Sequence, residues 1–241
     1  MSDEAAGLLA ALGALILKLV TSGRFVDYVR PRMGVLLLAA AAVLLIGGSV
    51  GLISVATGGV RPRIGRTGLA LAIPVVLLSV VPPMPLGAFA AALRADAGRP
   101  PRPPSLFPAL PLQTGGAVEL SLSDFVSRAL YDANASLRGM TVRLVGFAAP
   151  DPRGPDGSYD LVRFVISCCA ADALALRVRI LDPLGVGGRA PPADTWMEVT
   201  GTWRWQPPVA PGAFARATIP ALELSSVRPI AEPANPYDGS A

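Results

Sequence analysis

The sequence predicts an N-terminal α-helical membrane segment followed by a C-terminal, mainly-β domain, a five-stranded OB-like barrel with a short helix before it. Three observations predict it. Hydrophobic residues make up 52% of the 241-residue chain and charged residues only 16%, where about a quarter are charged in an ordinary soluble domain. The apolar excess lies in long uncharged runs before residue 94. Beyond a proline-rich stretch the pattern changes to short alternating segments rich in valine and leucine, the two-residue period of strands.

The membrane segment covers residues 1–98, with spans expected at about 5–22, 33–56 and 67–93. The first, "AAGLLAALGALILKLV", is short and includes Lys18 near its end, where a lysine can reach the interface. Asp3 and Glu4 are wrong for the positive start of a signal peptide, so an uncleaved span is expected, an interfacial helix being the other reading. Met33 to Val60 runs twenty-eight residues without a charge, more than the about 20 needed to cross a bilayer core. Gly47, Gly48 and Gly51 there either allow close helix packing or are merely tolerated. Thr67 to Leu93 is also uncharged, but Pro82, Pro83 and Pro85 break it. The tail "PMPLGAFAAAL" is expected to complete the crossing as a broken helix.

Charge follows the same division. Residues 1–102 carry Lys18 and nine arginines against four acids, a net of +6, and residues 103–241 carry eleven arginines against thirteen acids, a net of −2. Arginines beside apolar spans are a membrane signature, not the basic patch of a folded nucleic-acid interface, so no nucleic-acid partner is expected. Six arginines flank the spans on the side of the C-terminal domain and three on the other. This count places that domain in the cytoplasm of a multi-pass cell-membrane protein.

Residues 99–116 form a linker with six prolines between 99 and 112, read as a semi-rigid spacer. The β domain spans 117–230. "SLSDFVSRALYDA" (121–133) reads as a helix capped by Ser123, with Phe125, Val126 and Leu130 on one face. Strands are expected at 140–149, 159–167, 174–182, 195–205 and 215–230. Arg177 and Arg179 should face outward, and Trp196, Trp203 and Trp205 should fill the barrel. Asp151, Asp156 and Asp160 read as solvated turn carboxylates. Residues 231–241 read as a flexible tail.

"RFVISCCAADA" (163–173) holds both cysteines of a chain that has no histidine. At a strand end Cys168 and Cys169 should point to opposite faces, one toward the core. Three readings stand. The pair can be small buried hydrophobes, or soft ligands for Zn or Cu(I) with Asp172 as a nearby third donor. The third is redox chemistry, although a disulfide between adjacent residues closes a strained ring. Arg163 and Asp172 bracket the thiols and could pair with each other. The chain carries no Walker loop, no GxSxG and no histidine base, so an enzyme is not expected.

"LGALILKLVTSGRFVDYVRPRM" (12–33), "PPMPLG" (82–87), "RFVISCCAADA" and "DTWMEVTG" (194–201) resemble the YcgQ-type family, bacterial membrane proteins described as subunits of a two-component permease complex. The resemblance implies a multi-pass N-terminal segment and a separately encoded multi-pass permease as partner. It supplies no catalytic residues. Relatives with histidine-rich loops between the second and third apolar segments contrast with "TGGVRPRIG" here. The expected function is a membrane-anchored accessory subunit of a permease complex, with bilayer and permease as partners. The alternative is a membrane-tethered thiolate metal or small-molecule sensor, with Cys168, Cys169, Asp172 and Arg163 as candidate contacts.

Overall fold

The computed structural model describes residues 3–57, 70, 73, 75–77, 80, 85–93, 107–110, 116–150, 158–182, 185, 190–205 and 219–239. The chain divides into two compact units. One is Met1–Pro85 with Cys168–Ala170, and the other is Leu86–Ser167 with Ala171–Ala241.

In the first unit, α1 (Asp3–Thr21) packs against α2 (Gly34–Thr57). Their lengths of 19 and 24 residues correspond to about 28 and 36 Å of helix, against a hydrocarbon core of about 30 Å. Both helices are long and apolar enough to cross a membrane. Small residues let them approach. A Cβ on Gly48 would stand 2.6 Å from the Ala10 nitrogen, and one on Gly13 would stand 3.1 Å from the Ala41 carbonyl oxygen. Gly48 is therefore a packing residue, whereas Gly47 has nothing within 4 Å. Two hydroxyls on α2 are satisfied locally, Ser54 donating to the Val50 carbonyl at 2.8 Å and Thr57 to that of Ile53 at 3.0 Å, which makes them tolerable in an apolar helix. A short connection, with 3-10 turns at Arg24–Asp27 and Pro31–Met33, joins the two.

Of the expected third span, residues 70, 73, 75–77 and 80 are helical and the rest up to 84 lie outside the described residues. Its tail does not complete a crossing. Leu86–Leu93 belongs to the second unit, and α3 (Ala88–Leu93) buries Ala88 and Ala91 among Phe147, Phe164 and Tyr237. Asp194 anchors it by accepting the Ala88 N–H at 2.5 Å.

The second unit is built on a six-stranded mixed sheet. Its strands are β1 (Val118–Glu119), β2 (Thr141–Pro150), β3 (Tyr159–Val165), β4 (Leu174–Leu181), β5 (Trp196–Arg204) and β6 (Ala221–Pro229). The order is β1-β2-β3-β4-β6-β5, and β2 also pairs with β5. Pairs β1–β2 and β4–β6 are parallel and the others antiparallel. β1 was not expected, being too short for a periodic signal. Successive residues of β3 enter different apolar clusters, Leu161 one and Val162 and Phe164 the other, so the sheet is covered on both faces there. Helix α4 (Leu122–Tyr131) adds Leu122, Phe125 and Val126 to the cluster of Leu144, Leu161, Leu176, Val178, Met197 and Val199. Trp196 and Trp203 pack partly buried on these clusters, but Trp205 is 51% exposed and is no core residue.

Four local expectations are corrected. The cap of α4 is Ser121, whose Oγ accepts the Asp124 N–H at 3.0 Å, while the Ser123 N–H donates to Asp238 at 2.6 Å. Ser123 lies inside the helix, where it has no orphan donor two or three residues on to satisfy. The tail is fastened rather than flexible: Tyr237 and Asp238 are buried, and the Asp238 N–H donates to the Phe164 carbonyl at 2.8 Å. Linker residues 107–110 are seated on α4, since buried Arg128 donates to the Pro108 carbonyl at 3.0 Å and lies over the Phe107 ring.

The fourth correction concerns Asp160. It is not a solvated turn carboxylate but fully buried, accepting from Arg177 Nε at 2.9 Å and Arg179 Nε at 2.6 Å. The cause is register. Asp160 stands opposite Arg179 and Val162 opposite Arg177, so the three charged side chains share one face. Asp151 and Asp156 lie outside the described residues.

Candidate functional site

Strand β3 stops at Val165, and the chain resumes as β4 at Leu174. Ile166 and Ala173 are both buried in the cluster of Phe147 and Phe164. Between these two anchors, residues 167–172 form a tight turn closed by a 3-10 turn over Ala170–Asp172. The Ser167 N–H donates to Asp172 Oδ1 at 2.8 Å. A carboxylate in place of a backbone acceptor is the ordinary way for a short turn to tie its ends.

The extended backbone ends before the cysteines, so alternation no longer applies to them. Cys168 and Cys169 do not split between core and surface. Their sulfurs lie together, the Cys168 thiol donating to Cys169 Sγ at 3.7 Å, and both are thiols rather than a disulfide. Cys168 is exposed and Cys169 half-buried. Neither is a core filler, which corrects the reading of the pair as buried hydrophobes. Both sulfurs and a carboxylate oxygen of Asp172 lie within 4.8 Å of one another, the one such grouping of potential metal ligands among the described residues.

Residues 168–170 are also held through the backbone. Cys169 forms an antiparallel bridge with Val29. The Arg30 N–H donates to the Cys168 carbonyl at 3.2 Å, and the Ala170 N–H donates to the Tyr28 carbonyl at 2.7 Å. Nothing in the sequence marks Tyr28, Val29 or Arg30 for this contact. It is made by main-chain groups, which every residue carries.

Arg163 is not part of the grouping. Its guanidinium donates to the Asn235 carbonyl at 2.9 Å and the Pro236 carbonyl at 3.3 Å, lies 3.7 Å from the Asp238 carboxylate and sits over the Trp196 ring. Burial pushes its pKa down, opposed by the charge of Asp238. Arg163 thus pairs with Asp238 rather than Asp172, and its work is to hold the C-terminal segment. The signal missed in the sequence was Asp238, whose place in the tail suggested solvent.

Two thiols and a carboxylate on a tied turn can chelate one soft or borderline ion, or one small thiophilic group. The family model for the DUF1980 C-terminal domain matches residues 116–238. The match begins just before β1 and ends on Asp238, so it takes in the whole sheet, the thiol turn and the fastened tail. No curated protein and no solved structure matches the chain.

Proposed function

The chain belongs to the DUF1980 family, and from that premise we propose that it is a membrane-anchored binding module that takes a soft ligand on Cys168 and Cys169. The observation that carries this reading is the convergence of both sulfurs and Asp172 within 4.8 Å on a turn tied at its ends. Thiolates are the reactive form, and a cytoplasmic position, as the arginine count argues, keeps them reduced. We read the module as a binder, its ligand set being two thiols and a carboxylate. We read the sheet as the expected OB-like barrel, a reading supported by the ladder β2-β3-β4-β6-β5 returning to β2. Such a barrel sets no ligand by itself, which leaves specificity to the turn.

The test is alkylation of the two cysteines in native membranes. Maleimide labelling is expected to be slow until a strong chelator or an excess of a small dithiol strips the ligand, then fast. Equal labelling before and after stripping would remove the reading.

A second reading makes the same chain an accessory subunit of a permease complex. It is favoured by α2, which packs on α1 through Gly48 while Val35, Val43, Ile46 and Ile53 remain more than half exposed. In a bilayer such a face meets lipid or a multi-pass partner, and the resemblance to the YcgQ-type family names a permease. Affinity purification from native membranes is expected to recover one multi-pass protein in near-stoichiometric yield. Recovery of the chain alone in several mild detergents would count against this role.

A further inference from the structure

We infer that Cys168, Cys169 and Asp172 form a site for a tetrahedral divalent cation of the zinc type, with one position left open. This deepens, and rests on, the reading of the turn as a soft-ligand site. The sulfurs stand 3.7 Å apart. Two thiolates bound at about 2.3 Å with a tetrahedral angle stand about 3.8 Å apart. Two thiolates on opposite sides of one ion at that bond length, the linear arrangement open to Cu(I), would stand roughly 4.6 Å apart. The observed spacing therefore fits a tetrahedral ion and is about 1 Å too short for a linear one.

The third donor points the same way. A carboxylate is a hard ligand, common on zinc and poorly matched to Cu(I), while thiolates exclude Ca and Mg as preferred occupants. A carboxylate oxygen of Asp172 lies within 4.8 Å of both sulfurs. Its Oδ1 accepts from the Ser167 N–H, and a carboxylate has a second oxygen, so being oriented by that N–H and ligating an ion are compatible. Two thiolates and one carboxylate place a charge of about −3 around a 2+ ion. With no histidine in the chain, the fourth position goes to water or to a donor from another molecule. Three protein ligands with one open position is the arrangement of zinc sites that exchange ligands, not of closed structural ones.

Binding converts two S–H groups to two sulfur–metal bonds and releases two protons per ion.

The experiment is a Co(II) titration of the full-length chain in mild detergent under reducing conditions. One equivalent is expected to produce the thiolate-to-cobalt charge-transfer band and the intense visible bands of tetrahedral Co(II). Zinc should bleach both. Cys168→Ser and Cys169→Ser should each abolish the bands, and Asp172→Asn should weaken Co(II) at least about tenfold, with tryptophan emission unchanged in all three. If Co(II) and Zn fail while Cu(I) binds one-to-one at the same cysteines, the tetrahedral assignment is overturned and the soft-ligand reading stands. If none of the three metals binds, or the bands survive in the double serine variant, both are overturned.

Discussion

Replacing Asp160 with alanine is expected to destabilise the second unit by about 3–5 kcal/mol. The carboxylate is fully buried, and its oxygens accept from Arg177 and Arg179 at 2.9 and 2.6 Å. The arginine side chains are themselves only 11% and 29% exposed. Removing the acid takes from two largely desolvated guanidinium groups the carboxylate that both donate to, and leaves their mutual repulsion unopposed at that point. Removing one partner of such a group costs far more than the group contributes relative to an apolar replacement. A domain has about 5–15 kcal/mol in all, so the loss should be visible as a large drop in the denaturant midpoint. Trp196 and Trp203 lie in β5 and Trp205 just beyond it, so tryptophan emission reports on this sheet without interference from α1 and α2. A loss under about 1 kcal/mol would mean that the cluster is effectively solvated.

Asp160 also shows where the sequence stopped being readable. The strands themselves were legible, because alternation of apolar residues is a local signal: four of the five expected strands match within about two residues. The uncharged run from Met33 likewise announced α2, and the apolar stretch around Lys18 announced α1. What alternation does not carry is register. Asp160 was placed beside a turn by its neighbours Pro155 and Gly157, and only its pairing opposite Arg179 turns three scattered charges into one buried cluster. Ala88–Leu93 failed for a related reason. Composition says that this stretch is apolar and says nothing of what covers it. Here Ala88 and Ala91 meet the sheet's aromatic cluster.

The thiol turn divides along the same line. The residue types, Cys168, Cys169 and Asp172, were singled out from the sequence, because rare chemistry is visible in composition. Their geometry was not, since a strand continued by two residues would have sent the thiols to opposite faces. Ending β3 at Val165 brings them together. Arg163, though only five residues before Cys168 in sequence, is drawn off by Asp238 and the carbonyls of Asn235 and Pro236, a contact across more than seventy residues that no local pattern encodes.

The second large effect is on ligand binding. Changing both Cys168 and Cys169 to serine should lower zinc affinity by at least about a hundredfold, because neutral hydroxyls replace the two thiolates that supply most of the site's charge. The fold should hold within about 0.5 kcal/mol, since Cys168 is exposed and Cys169 half-buried and serine fits a turn. The comparison thus separates a ligand role from a packing role. A packing role predicts the reverse, a lowered melting midpoint with binding indifferent to the change.

Native mass spectrometry of the full-length chain released from detergent micelles with equimolar zinc measures the point most directly. The wild-type chain is expected to carry one zinc with two protons displaced, and the double serine variant none. Equal zinc occupancy of the two chains, or a bare wild-type chain, would contradict a ligand site at Cys168 and Cys169.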